Sequence, residues 1–149
     1  MKGSIKMGTI YSISISAERG QLKKEVSEAR LIKNYGIEND GHAGDWGRQV
    51  TCLNWASVLK TNKEQHLNAG VGDFAENILI NGLELSRLRV GSRIKLGTSA
   101  ILEVTQIGKE DHPSIVRRKF GVSLLPSEGL FCKVAKGGKI KKNDFVEEI

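Results

Sequence analysis

Residues able to do chemistry gather in three stretches of this chain. Gly36 to Arg48, GIENDGHAGDWGR, sets Asp40, His42, Asp45, Trp46 and Arg48 among four glycines. Asp40, His42 and Asp45 lie close enough together to suggest metal ligation, but their spacing matches no standard ligand set. Asp40 before Gly41 is equally turn chemistry, and a histidine among glycines is equally a plain loop residue. The second stretch is Gly70-Val71-Gly72-Asp73-Phe74-Ala75-Glu76-Asn77. Its paired glycines look like part of a phosphate loop, without the Gly-Lys-Ser/Thr ending or the third glycine of a dinucleotide fingerprint. A turn is the better reading, with Glu76 and Asn77 placed to offer a carboxylate and an amide to a ligand. The third stretch is Gly108-Lys109-Glu110-Asp111-His112-Pro113. Two carboxylates beside a lysine and a histidine could shift each other's pKa values and move protons. The alternative is a solvated loop stopped by Pro113. Cys52 and Cys132 lie in apolar runs and read as buried structural thiols rather than nucleophiles.

These loops need a frame. Thr9, Tyr11, Ile13 and Ile15 share one parity and Ser12, Ser14 and Ser16 the other, the period of a half-buried strand. Residues 17–26 are polar and read as a loop. Short strands are expected at 29–32, 49–53 and 77–80. Asn54 is a candidate N-cap, and Thr61 with Glu64 forms a capping box, so residues 54–68 should be helical, as two short helices. Strands at 93–96 and 101–107 flank Gly97-Thr98-Ser99 as a hairpin, and 116–120 suits a short helix. Strands at 130–135 and 139–141 flank Gly137-Gly138 as a second hairpin, and residues 145–148 form the last strand. Many short strands with one helical insert around 54–68 predict a mainly β fold, a closed or nearly closed β-barrel. No repeat or linker interrupts residues 1–149, which read as a single domain.

At 149 residues, such a domain can bury roughly 70% of its unfolded surface. Mean hydropathy is −0.27 and no apolar run reaches the ~18 residues of a membrane span. The first twenty residues lack the apolar core of a signal peptide. A cytoplasmic protein without membrane contact is expected. The two cysteines, with no CxxC, predict a reduced chain without a zinc site. Twenty-three basic against 17 acidic residues leave a net charge of +6, which favours an anionic partner. The charge also admits a nucleic-acid-binding barrel. The densest basic cluster, Arg117-Arg118-Lys119, has only Phe120 beside it for stacking, and a solvated basic face fits better.

Taken in order, the segments resemble the MOSC domain, named for the C-terminal domain of molybdenum cofactor sulfurase. The resemblance runs from Gly8-Thr9-Ile10 to Asp144. It includes the Gly-x-x-x-Asp-x-His-Ala-Gly loop (Gly36 to Gly44), an arginine leading into an apolar strand (Arg48 to Leu53), and Gly-Asp-Phe-x-Glu-Asn-Ile (Gly72 to Ile78). Next come Leu-x-x-Leu-x-Val-Gly-Ser (Leu85 to Ser92) and Leu-Glu-Val-Thr-Gln-Ile-Gly-Lys (Leu102 to Lys109). Pro-x-Glu-Gly-Leu-Phe (Pro126 to Phe131) and Gly-Gly-x-Ile-x-x-x-Asp (Gly137 to Asp144) complete it.

The resemblance implies a β-barrel that binds the molybdenum cofactor, an anionic pterin dithiolene carrying a phosphate. It implies a pocket of Asp40, His42, Arg48, Glu76, Asn77 and Lys109, with Arg48 pairing with phosphate and amide and carboxylate groups meeting the pterin edge. Family members act in cofactor sulfuration or use the cofactor to reduce N-hydroxylated compounds, with a molybdoenzyme or redox protein as partner. Many carry a cysteine after the Gly-Lys pair that is proposed to hold sulfur or ligate molybdenum. Here Asp111 fills that slot and His112 follows. A carboxylate cannot carry a persulfide, though its oxygen is a hard ligand suited to high-valent molybdenum. Asp111 and His112 are thus the expected catalytic pair, with Asp111 at the metal. The alternative is a non-catalytic cofactor carrier.

Overall fold

The computed structural model describes residues 7–149. The part of the signal-peptide reading that concerns residues 1–6 lies outside them. The strands are β1 (Met7–Ile15), β2 (Lys24–Val26), β3 (Glu28–Ile32), β4 (Gly36–Ile37), β5 (Val50–Asn54), β6 (Ile78–Asn81), β7 (Arg93–Leu96), β8 (Ala100–Ile107), β9 (Leu130–Lys136), β10 (Gly138–Lys141) and β11 (Phe145–Glu148). The helices are α1 (Trp55–Gln65), α2 (Ile115–Phe120) and α3 (Leu125–Glu128). The main sheet runs β11-β7-β8-β9-β5-β6-β1-β2, and β11 also pairs with β1. That pairing closes seven strands into a barrel and leaves β2 hanging from β1. Closure removes the exposed edges that an open sheet of short strands would present. The expected mainly β barrel is the observed architecture.

The parity expected of β1 fails at Tyr11. Ile10 faces Ile80 but Ser12 faces Leu79, so Tyr11 is an extra residue, a bulge that flips the inward face. Ile10 and Ile13 therefore both enter the barrel core, while Tyr11 turns out to stack on Trp55 of α1, ring centroids 4.1 Å apart. The barrel core continues through Val50, Cys52, Ile78, Ile94, Leu102, Cys132 and Val146. A second core lies outside the barrel, where Leu53, Phe74, Leu79 and Phe131 meet Val58 of α1 and Val116 of α2.

Several local expectations need correction. The span 54–68 holds one helix, Trp55–Gln65, rather than two, and Thr61 and Glu64 lie inside it, where no cap is needed. Asn54 stands at the N-cap position without capping; its amide donates to the Leu83 carbonyl at 3.5 Å. The helix ends on His66 in the left-handed conformation. Residues 130–141 do not form a hairpin. β9 pairs with β5 and β8, whereas β10 leaves to pair with β3 in a separate three-stranded sheet, β10-β3-β4. The stretch read as loop through Val26 contains β2.

Candidate functional site

The buried carboxylate of Asp40 is the hub of the site. One oxygen accepts the Ser16 amide at 3.1 Å and the Lys23 ammonium at 2.8 Å, and the other accepts the His42 amide at 3.2 Å. Lys23, whose side chain is fully buried, also donates to the Ser16 hydroxyl at 3.0 Å and meets His42 Nδ1 at 3.0 Å. The Asp40 loop therefore ties the end of β1 to the segment before β2. Glycine permits the close approach. Gly41 donates its amide to the Ser16 carbonyl, and a Cβ there would stand 2.5 Å from the Glu18 backbone. Beyond the hub, Trp46 donates its indole N–H to the His42 carbonyl at 2.7 Å and stacks parallel to the imidazole, with the Arg19 guanidinium 3.9 Å above the indole. The His42 pKa is lowered to about 4, by burial first and then by the Lys23 charge, with Arg19 and Lys109 adding to the depression and Asp40 opposing it.

His42 and Trp46 form one wall of a cavity of about 380 Å³. Thr51, Phe74 and Phe131 line it from the β5, β9 and second-core side, and the segment from Lys109 through α2 to Leu125 covers the opposite side. Arg48 enters from the start of β5, its guanidinium 5.0 Å from the centre of the Phe131 ring and its Nε donating to Gln106 at 3.1 Å. A bulge in β8 aims that glutamine: Val104 faces Cys132 but Gln106 faces Phe131, so Thr105 is the extra residue. Gly108, with φ +70°, then turns the chain against Pro126, and Lys109 follows at the cavity rim. Burial lowers the Lys109 pKa and the Arg48 charge lowers it further, against Glu110 and Asp111. Arg48, Lys109, Arg118, His42 and His112 all line the cavity, and among the described residues no carboxylate does.

Glu76 and Asn77 lie one layer below. The Glu76 carboxylate accepts the amides of Gly72 at 2.6 Å and Phe74 at 3.1 Å, closing the turn that presents Phe74 and Ala75 to the cavity. Burial raises its pKa to about 7, even though those amides favour the charged form. The Asn77 side chain accepts the Thr51 amide at 2.9 Å and donates to the Ser14 carbonyl at 3.1 Å, so it joins the strands on either side of β6. Both side chains are fully buried and spent on backbone. Asp111 is exposed and ion-paired with Arg117, facing a shallow outer hollow. His112 lines both that hollow and the cavity. Among the described residues no three His, Cys, Asp or Glu side chains come together to hold a metal.

A family model described as "MOSC domain" matches residues 39–147. The chain belongs to the MOSC domain family. The matched span covers every cavity wall except the segment around Gly20. MOSC domains are associated with the molybdenum cofactor. Solved structures show the same fold at low identity. YuaD from Bacillus subtilis is 16% identical with a TM-score of 0.76, covering 95% of each chain. YiiM from Geobacillus stearothermophilus is 18% identical with a TM-score of 0.74, over 96% of this chain and 75% of its own. YiiM from Escherichia coli is 19% identical with a TM-score of 0.71, over 96% and 69%. No curated protein matches the chain by sequence.

In this MOSC domain, sequence reasoning missed Lys23, the central cation of the hub. It stands in a polar run, Gln21-Leu22-Lys23-Lys24-Glu25, where nothing separates it from its neighbours. Only the docking of Gly72 on the Lys23 backbone and the register of β2 on β1 turn it inward. Cys52 and Cys132 are fully buried in the barrel core, and the neighbouring Cys52 thiol together with burial pushes the Cys132 thiol well up. Among the described residues no helix is long and apolar enough to cross a membrane.

Proposed function

We propose that this MOSC domain binds the molybdenum cofactor in the cavity beside His42 and serves as a cofactor carrier. The observation that carries the reading is the donor set: three full cations and two histidines around an aromatic floor, with no acid among the described lining residues. Such a wall suits an anionic, phosphate-bearing heterocycle. Arg48 would hold the phosphate through charge-assisted hydrogen bonds, with Lys109 and Arg118 adding positive charge. Phe131 and Phe74 would bound the ring. When bound, the cofactor supplies a metal centre able to exchange oxygen atoms and electrons. The carrier reading is favoured over cysteine-based sulfur transfer because both thiols sit inside the barrel, away from the cavity. A partner molybdoenzyme would then receive the cofactor.

A reductase of N-hydroxylated compounds is the second reading. It is favoured by His112, which borders the cavity and the outer hollow and could pass a proton between them, with Asp111 beside it as the candidate ligand. Protein made in a host that synthesises the cofactor should carry molybdenum and yield pterin fluorescence after oxidation. Arg48→Ala should cut both by at least about tenfold, the loss of a charge-assisted contact worth ~1.5–3 kcal/mol. Neither metal nor pterin above the Arg48→Ala level would overturn the cofactor reading. Reduction of a hydroxylamine by the loaded protein with an electron donor, lost in Asp111→Ala and His112→Ala, would replace the carrier by the reductase.

A further inference from the structure

The buried lysine has a consequence for what the cavity recognises. An ammonium carries three N–H donors and no acceptor. Lys23 has three polar partners: the Asp40 carboxylate, the Ser16 hydroxyl and His42 Nδ1, at 2.8, 3.0 and 3.0 Å. The third contact is a hydrogen bond only if Nδ1 is the acceptor. The imidazole is then neutral and carries its proton on Nε2. Asp40 does not compete for the ring, because its second oxygen is taken by the His42 backbone amide. The ring cannot rotate freely either, since Trp46 stacks along it and holds its carbonyl.

We propose that Lys23 is a positioning residue that fixes His42 as a neutral Nε2–H donor on the cavity wall, there to meet an oxygen acceptor of the bound ligand. The proposal deepens the cofactor reading in one respect: it gives His42 a directional hydrogen bond rather than a charge. A protonated histidine would add a fourth positive group to a wall already holding Arg48, Lys109 and Arg118, and would repel them. A neutral donor adds selectivity for an oxygen at one point without that repulsion. The charged groups bearing on the ring are Lys23, Asp40, Arg19 above the indole, and Lys109, and three of these four disfavour the imidazolium.

The ligand-free protein tests the tautomer directly, independently of any cofactor. Two-bond proton–nitrogen correlation spectra of histidine-labelled protein should show His42 with an unprotonated Nδ1 and a protonated Nε2, unchanged from pH 8 down to about pH 5. An Nδ1–H tautomer, or an imidazolium at pH 7, would overturn the proposal. Lys23→Met should release the ring to mixed tautomers, and Lys23→Arg should restore the Nε2–H form; a Lys23→Met ring still locked as Nε2–H would also refute it. Should Lys23→Met not fold, the wild-type spectrum decides alone. Inorganic phosphate and unphosphorylated pterin are then titrated separately. A shift of the Nε2–H resonance with either probe identifies the oxygen it meets, and His42→Gln should weaken that probe by about 3–10-fold. Binding of both probes without movement of that resonance would remove the donor role. Binding of neither, with the tautomer as stated, would count against the cofactor reading and leave Lys23's action on His42 in place.

Discussion

Replacing Asp40 by asparagine isolates the electrostatics of the hub. The side chains of Lys23 and Asp40 are both fully buried, 2.8 Å apart. The substitution keeps the volume and one carbonyl oxygen but removes the countercharge, leaving an ammonium in the protein interior. Breaking a buried pair by removing one partner costs about 3–5 kcal/mol. The new amide also points N–H groups at the His42 backbone N–H, which Asp40 now satisfies. Lys23→Met should cost less, about 2–4 kcal/mol, because Asp40 retains the Ser16 and His42 amides as donors. The double variant buries no charge in either state, so its cost should fall short of the sum by about 2–3 kcal/mol. For a domain of this size each kcal/mol moves Tm by roughly 2–4 °C, so Asp40→Asn should lower it by about 6–20 °C. Urea unfolding with an unchanged m-value gives the free energies. The exposed pair Arg93–Glu103, with side chains 51% and 22% accessible, is the control: Glu103→Gln should cost at most about 1 kcal/mol. An Asp40→Asn cost no larger than that of Glu103→Gln, or additivity within ~0.5 kcal/mol, would refute the view that the hub is held by a buried charge pair.

Gly72→Ala should destabilise by at least about 2–3 kcal/mol, because φ is +79° and the new Cβ would stand 2.1 Å from the Lys23 carbonyl oxygen; Gly91→Ala, at φ +95° with open space, should cost only about 1 kcal/mol, as denaturant melts would show. Glu76 and His42 should oppose each other in pH-dependent stability. Glu76, raised to about 7, contributes stability that is complete below about pH 4.5 and lost as pH rises through 7, whereas His42, lowered to about 4, contributes stability present above pH 6.5 and lost as pH falls through 4. Between pH 4.5 and 6.5 the two slopes should nearly cancel; Glu76→Gln should leave stability rising with pH there, and an unchanged profile would exclude Glu76 as the titrating group. Ser12→Ala should be neutral or slightly stabilising in the same melts, since its buried hydroxyl has no hydrogen-bond partner.

What the sequence disclosed follows from the range of each interaction. Strands β7, β8 and β11 were legible because their alternation and turns are local, whereas Arg48 was singled out only through the resemblance of the ordered motifs to the MOSC family. The bulge at Tyr11 was not legible: it depends on where Ile80 and Leu79 lie across the sheet, and the alternation of Thr9, Tyr11, Ile13 and Ile15 is undisturbed in the chain itself. The same holds for β10, whose partner β3 is more than a hundred residues away, so the nearer strand looked like its mate. At the site, residue type was informative but depth was not. Asp40, Glu76 and Asn77 have the groups a pterin would want, yet backbone amides and Lys23 already occupy those groups, and this occupancy is set by the docking of Gly72 and β2. Lys23 makes the converse case. Its charge placed it among solvated lysines by every local rule, whereas the fold gives it three acceptors that satisfy an ammonium and leave none of its donors over. A buried lysine with fewer partners would carry a cost of several kcal/mol. The completeness of that set is therefore what allows a charge at the base of the cavity wall, and through it a neutral histidine beside the three cations that line the cavity.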